Sequence, residues 1–335
     1  MKSYVIELLE CPDCHAQLDW HIEAETDNQI EKAQARCSDC AAVYHVRDGI
    51  GIFLTPDLPR NDMWAQVDSQ LAAHLREHPD LEKQLMEYPV ENLSPTDQHF
   101  RALILDERGS FGEAWEIEVQ ANNNLYTPEY MDCWRSQTDY VLESLTSFDG
   151  PIVDLASGRC YLVEKIVNRL RRQVIATDFS LAVLRRDRKF FHFLGVDEFV
   201  SFLAFDARKT PFKNNMIRTM TTNLGLPNIE DPGGLVNELR RIIDGTLLAI
   251  THFFPEDDEA NRQVIEDAGI EAFVYYKSAL RYLDEADWLA KVENICTGPA
   301  LPTPPSTIFE GARADGLPVA PTELTWGTIR AVSNA

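Results

Sequence analysis

An α/β fold built on a doubly wound, seven-stranded sheet, preceded by a small metal-held ribbon and a helical connector, is what this sequence predicts. Three observations carry the expectation. From Pro151 onward, strand-like apolar runs alternate with helical ones, the pattern of a parallel sheet with helices on both faces. Two Cys-x-x-Cys pairs occur before residue 41, and between them and the sheet lies a stretch with apolar residues at helical spacing. The length of 335 residues fits about two domains at roughly 150 residues each. A hydrophobic share of 44% and a charged share of 25% are globular values that exclude collagen-like, coiled-coil and disordered chains.

The charge balance narrows the partners. Against 31 Lys and Arg stand 54 Asp and Glu, a net −23, and such a surface repels nucleic-acid phosphates and anionic lipid. The segment 61–130 is the most acidic per residue, with 4 basic and 14 acidic side chains. No run approaches the ~18 apolar residues of a membrane span. Met1-Lys2-Ser3-Tyr4 leads towards Cys11 without a signal-peptide core, so a cytoplasmic location and no membrane partner are expected.

The first element, residues 1–60, is read from Cys11-Pro12-Asp13-Cys14 and Cys37-Ser38-Asp39-Cys40. A two-residue gap lets both thiolates of a pair reach one ion, and two pairs complete the tetrahedral sulfur set of zinc. Between them Leu18, Trp20 and Ile22 alternate with polar residues, as in a hairpin. Two disulfides or buried thiols are the alternatives; a reducing compartment disfavours the first and the polar surroundings the second. Cys11, Cys14, Cys37 and Cys40 are therefore the expected zinc ligands, with His15 and His45 outside the metal shell. So small a segment has little core of its own, so the metal is expected to supply much of its folding free energy.

Leu8-Leu9-Glu10-Cys11-Pro12 and Val43-Tyr44-His45-Val46-Arg47-Asp48-Gly49-Ile50-Gly51-Ile52-Phe53-Leu54 resemble the small zinc-ribbon family that activates methyltransferases as a separate subunit and is often fused to them. The resemblance implies a protein partner at the ribbon, in another chain or in this one. It departs where the family usually has Pro and this chain has His45 or Gly51.

The connector spans 61–127. Pro56 and Pro59 end the ribbon, and Met63, Val67, Leu71, Leu75, Leu81 and Leu85 predict one helix over 62–86. Over 87–127, Pro89, Pro95, Gly109, Gly112 and Asn122-Asn123-Asn124 punctuate short apolar runs, and no function is legible there. Thr127-Pro128-Glu129 reads as a helix start, Thr as cap and Pro at the first helical position.

Strands are expected at 151–155, 173–177, 199–204, 216–222, 246–252, 291–297 and 324–332, inside a domain of residues 128–335. Ile152-Val153-Asp154-Leu155 feeds Ala156-Ser157-Gly158-Arg159-Cys160 and then a helix; ligands of open parallel sheets sit beyond such strand ends. Only Gly158 remains of the three glycines of a dinucleotide site, and Asp154 would disfavour pyrophosphate. A cationic nucleoside fits better: Asp178 ends the second strand, placed for ribose hydroxyls, and Asp206 follows the third, placed for an adenine amine. This pattern matches S-adenosylmethionine. Taken singly, each aspartate is as readily a cap or turn residue.

Over residues 128–332 these segments resemble class I S-adenosylmethionine-dependent methyltransferases. Asp154-Leu155-Ala156-Ser157-Gly158 resembles the first motif, Asp178-Phe179-Ser180 the ribose motif, Asp206-Ala207-Arg208-Lys209-Thr210-Pro211-Phe212 the adenine segment, and Thr222-Asn223-Leu224-Gly225-Leu226-Pro227 the fourth-strand end. The resemblance implies a Rossmann-like sheet and cofactor contacts from Asp154, Ala156, Ser157, Gly158, Asp178, Phe179, Asp206, Ala207 and Asn223. Cys160, where a third Gly is usual, is the chief departure.

His252 at the end of the fifth strand is the candidate catalytic base, with Tyr126 and Tyr130 as pocket residues. The Asn/Asp-Pro-Pro-aromatic signature is absent, which favours a small-molecule acceptor over RNA. A basic cluster at 164–189 argues the other way, although solvated helix faces explain it as well. The Pro-rich stretch 299–321 is expected to be a substrate cover. A binding or scaffold protein with an inactive cofactor pocket and an rRNA or tRNA methyltransferase are the competing readings.

Overall fold

The computed structural model describes residues 1–58, 71 and 74–333. Met63, Val67 and Pro59 lie outside the described residues. Among the described residues no helix is long and apolar enough to cross a membrane.

All seven expected strands form, as β5 (Ile152–Asp154), β6 (Val174–Asp178), β7 (Val200–Ala204), β8 (Ile217–Asn223), β9 (Ile243–Phe253), β10 (Trp288–Ala300) and β11 (Thr322–Ser333). They run in the order β7-β6-β5-β8-β9-β11-β10, parallel except for β11, which is antiparallel to both β9 and β10. The sheet is not seven-stranded, however. Four N-terminal strands, β1 (Leu18–Thr26), β2 (Gln29–Cys37), β3 (Val43–Arg47) and β4 (Ile50–Ile52), continue it to eleven.

The join is a parallel pairing of β4 with β7, with Ile50 opposite Phe202, Gly51 opposite Leu203 and Ile52 opposite Ala204. Gly51 permits it, since a Cβ there would lie 2.6 Å from Leu203 Cδ2. Phe53 N–H donates to Ala204 O (2.7 Å), Glu10 N–H to Pro211 O (2.7 Å) and Lys213 N–H to Leu8 O (2.9 Å). Val5, Leu9, Ile30, Val46 and Phe53 share one buried cluster with Leu203, Phe205 and Phe212. The expectation that the ribbon lacks a core of its own is thus half right: it borrows one from the sheet edge.

The connector is not one helix over 62–86. Pro79 opens a new helix, α1 (Pro79–Glu87), because the residue before a proline is disfavoured in helical conformation, and His78 stands at φ −127°. Two further helices follow, α2 (Pro95–Glu107) and α3 (Phe111–Leu125). Ser94 caps α2, accepting from Asp97 N–H. The expected cap holds in α4 (Pro128–Leu145), where Thr127 accepts from Tyr130 N–H at 3.2 Å.

The segment 301–321 between β10 and β11 folds back over α2. Its anchor is Asp97, whose carboxylate accepts from the Ser306 hydroxyl, Thr307 N–H (2.9 Å) and Thr307 Oγ1 (2.6 Å). Phe309 is buried against Leu75, Leu85 and Ile104. At its other end, Asn261 Oδ1 accepts from Val319 N–H at 2.8 Å.

Candidate cofactor site and four-cysteine cluster

Helix α5 (Tyr161–Leu170) starts where the loop 156–160 leaves β5, beside the carboxyl ends of β6 and β8. Ala156, Gly158 and Cys160 all adopt positive φ, at 48°, 52° and 56°. The alternation explains why glycine is at ease in all three places and what Cys160 does instead. The Cys160 side chain accepts the left-handed strain, is fully buried, and its thiol donates to Asp187 Oδ2 at 3.3 Å. Asp187 lies on α6 (Leu181–Phe193). Close helix packing thus survives the missing glycine.

Asp178 presents its carboxylate at the end of β6, accepting from Gly158 N–H (3.1 Å) and Ser180 N–H (2.9 Å). An ionised carboxylate only accepts, which is the chemistry that ribose hydroxyls would require. Asp154 is different: at 1% exposure its carboxyl accepts from Thr221 Oγ1 at 2.6 Å, bracing β5 against β8. Burial raises its pKa to about 7. Asp206, also buried, is gripped by Arg208, whose Nε and Nη2 donate at 2.9 and 2.7 Å to its two oxygens. That fork was not foreseen, and it occupies the carboxylate expected to face adenine. Of the remaining expected residues, Ala156, Ser157 and Phe179 are half-buried and Ala207 is buried. Asn223 accepts from Trp134 Nε1 at 3.2 Å, which ties α4 to the end of β8.

The connector reaches this loop, which nothing in 87–127 foretold. Arg159 pairs with Asp106 of α2 at 2.8 Å and lies 3.7 Å from Glu118 of α3. Glu118 also receives the Tyr161 hydroxyl (3.2 Å) and faces His99 Nδ1 (3.1 Å). Arg186 bridges Asp106 and Asp187. These are long-range pairings between charged residues, and charge alone gives no spacing signal.

His252 lies at the end of β9 among Tyr130, Phe254 and Trp326. Burial lowers its pKa to about 4, so the ring is neutral at pH 7, and its Nδ1 has no hydrogen-bond partner among the described residues. With Tyr126 and Tyr130 it lines a small cavity closed by the 301–321 segment.

The sulfurs of Cys11, Cys14, Cys37 and Cys40 lie within 4.8 Å of one another, with Cys11–Cys40 at 3.6 Å and Cys14–Cys37 at 3.3 Å. Zinc–sulfur bonds of about 2.3 Å in a tetrahedron set the sulfurs roughly 3.8 Å apart, so the donor set is compatible with one zinc ion. None of the seven cysteines forms a disulfide. His15 is bonded to Glu10 at 2.8 Å. Between the first two cysteines, Asp13 accepts from Lys209 Nζ at 2.7 Å and from the Tyr44 hydroxyl at 2.6 Å.

Residues 153–248 match the methyltransferase domain family model. That span runs from β5 to β9 and holds Asp154, the left-handed loop, Asp178 and Asp206. No curated protein matches the chain. Among solved structures, the YcgJ protein from Bacillus subtilis is 15% identical, with 60% of this chain and 99% of that chain covered and a TM-score of 0.47. A putative methyltransferase from Bacillus halodurans is 17% identical over 58% and 98%, at 0.45. Geranyl diphosphate C-methyltransferase from Streptomyces coelicolor is 16% identical over 58% and 77%, at 0.43.

Proposed function

We propose that the chain is an S-adenosylmethionine-dependent methyltransferase acting on a small-molecule acceptor, with a structural zinc ion in its ribbon. The observation that carries this reading is the left-handed loop 156–160 lying beside the strand-end carboxylate of Asp178, inside the span that matches the family model. Of the three strand-end carboxylates Asp178 fits the cofactor in kind, an anionic group beside loop 156–160 that suits a cation better than a phosphate, whereas Asp154 is bonded to Thr221 and Asp206 to Arg208.

S-adenosylmethionine, when bound, supplies a methyl group carried on a sulfonium. The chain's part is to hold, align and exclude water, for which general effective-molarity arguments allow up to ~7–11 kcal/mol. Asp178 would accept the ribose hydroxyls, and loop 156–160 would frame the ligand at the start of α5. The cover 301–321 and helices α2 and α3 close the acceptor side. His252 is neutral at pH 7 and its Nδ1 is unbonded within the described chain, so it is placed to take a proton from an acceptor that arrives protonated.

RNA is the less favoured acceptor, because the basic cluster is largely engaged inside the chain. Arg169 pairs with Asp139 and Arg188 with Glu31. Arg172 donates to the carbonyls of Leu145 and Phe148, and Arg186 is buried with Asp187. The Arg208 fork on Asp206 favours the second reading, a binding protein without turnover. Titration calorimetry of the full chain with S-adenosylmethionine and S-adenosylhomocysteine tests both. Heat from either supports the cofactor pocket, and no heat from either removes the enzyme reading. Four ordered thiols also support zinc, and metal analysis of the purified protein tests that part separately.

A further inference from the structure

The cavity beyond the end of β9 is lined by none of the residues expected to hold the cofactor, and its walls are chemically one-sided. Tyr126 and Tyr130 stack at 4.8 Å with rings 9° apart, and Tyr130 stands edge-on to Trp326 at 5.0 Å. His252 and Asp315 of the 301–321 segment both line it, as does Thr303, whose Oγ1 accepts from Asp315 N–H. The Tyr126 hydroxyl donates to Asp315 Oδ2 at 2.7 Å. Among the described residues no Lys or Arg lines this cavity. The space is small, about 20 Å³, enough for one or two waters or a group of that size.

A half-buried carboxylate that shares a cavity with aromatic rings and no cationic side chain is costly to keep charged. Its electrostatic neighbours, His99 and Glu118, are already engaged with each other. A ligand that brings a positive charge removes that cost, and two stacked ring faces favour the same charge. A ligand that brings a phosphate or carboxylate meets like charge with nothing to offset it. His252, which lines the same cavity and whose Nδ1 has no hydrogen-bond partner among the described residues, supplies a second, independent pointer: in its Nε2–H tautomer that nitrogen takes a donor. A protonated amine has three.

We infer that this cavity takes the amine end of a small-molecule acceptor, with Asp315 as counter-ion, the Tyr126–Tyr130 pair as the wall against which the ammonium lies, and His252 as a second hydrogen-bond acceptor. The inference deepens the proposed function and rests on it for the word acceptor; the charge preference of the cavity does not depend on it. Only the ammonium fits the enclosed space, so the rest of the molecule must leave past the 301–321 cover. Specificity for the amine is then set inside the protein and specificity for the remainder at the cover.

The test uses the full chain, loaded with S-adenosylhomocysteine, and matched probes: phenethylamine, phenethyl alcohol and 3-phenylpropionate, with their cyclohexyl counterparts. Calorimetry is expected to show amine binding, with the alcohols weaker by about tenfold or more and the carboxylates not bound. Asp315→Asn is expected to weaken amine binding by about tenfold or more and to leave S-adenosylhomocysteine affinity unchanged. Carboxylates binding as well as amines, no amine binding to the loaded protein, or a folded Asp315→Asn protein that keeps its amine affinity would each overturn the inference. The charge preference of the unaltered protein decides the matter even where that variant does not fold. Absent S-adenosylhomocysteine binding with amine preference retained would sink the methyltransferase reading and leave the amine site standing.

Discussion

The ribbon and the 301–321 segment are both additions to the outside of the same sheet, and they are attached by opposite kinds of bond. The ribbon joins through backbone: the β4–β7 ladder, the Glu10–Pro211 and Lys213–Leu8 bonds, and a buried cluster continuous with Phe205 and Phe212. The cover joins through side chains. Asp97 and Asn261 hold its two ends, Phe309 docks on the connector, and among the described residues no backbone–backbone hydrogen bond links it to the rest of the chain. An element held by a ladder and a shared core leaves only by unfolding. One held by a few side-chain bonds can lift while the sheet stays intact, as the proposed role of covering an acceptor site requires.

The largest effect should come from the four clustered cysteines. Zinc bound to four thiolates contributes on the order of 10 kcal/mol or more, and because β1–β4 share a core with the sheet edge, its loss should reach the sheet. Purified protein is expected to contain about one zinc per chain, in line with one tetrahedral set of thiolates. Cys37→Ser with Cys40→Ser, or a strong chelator, should lower the unfolding midpoint of the whole chain rather than release an independent ribbon. A metal-free chain with the same midpoint would leave the attachment to the backbone bonds and the shared core and end the zinc reading.

How much of this was legible follows from the range of the interactions. Strands β5 to β11 announce themselves because each is a local apolar run between breakers, and Thr127-Pro128 and the two Cys-x-x-Cys pairs are short patterns with a direct physical cause. The β4–β7 pairing joins residues 50–52 to 202–204, and its only local trace is Gly51, the residue whose missing side chain admits Leu203. In 87–127 the punctuation misled. Pro95 opens α2 rather than breaking a segment, and Asn122, Asn123 and Asn124 fall in the last turns of α3. Asp206 was legible as a strand-end carboxylate, but its capture by Arg208 two residues on was not, since an Arg at that spacing has no fixed direction. Asp97 and Asp315 carry no pattern at all: each matters through a partner about 190 or more residues away.

The next effect falls on the cover. Asp97 is fully buried and accepts several hydrogen bonds, four of them from Ser306, Thr307 and Ile308. Burial alone would raise its carboxyl, but the hydroxyls of Ser306, Ser94 and Thr307 outweigh burial and hold it below its usual range. Stability from a depressed carboxyl is present above the unfolded-chain value of 3.8 and is lost as pH falls through the lower folded value. The cover should therefore loosen in acid, and Asp97→Asn should remove that pH dependence. At neutral pH the variant should weaken the attachment by about 2–3 kcal/mol, seen as faster protease cleavage within 301–321 at a nearly unchanged unfolding midpoint. Cleavage no faster than in the unaltered chain would mean that Phe309 and Asn261 suffice, and that the cover is as fixed as the ribbon.

The smallest effect is the one that most directly tests how the ribbon is held. Lys209 Nζ reaches Asp13 at 2.7 Å and Asp57 at 2.9 Å, which on a diagram is the most conspicuous link between the cysteine knuckle and the segment after β7. All three side chains keep access to water, with Lys209 a quarter exposed, and ion pairs so placed contribute roughly 0–1 kcal/mol. Lys209→Met should therefore shift the unfolding midpoint by no more than about 2–4 °C, leave zinc content unchanged, and leave the ribbon as resistant to protease as before. Should the variant instead lose zinc or expose the ribbon to cleavage, charge rather than the ladder and the shared core holds this edge, and the ribbon would be a detachable element of the same kind as the cover.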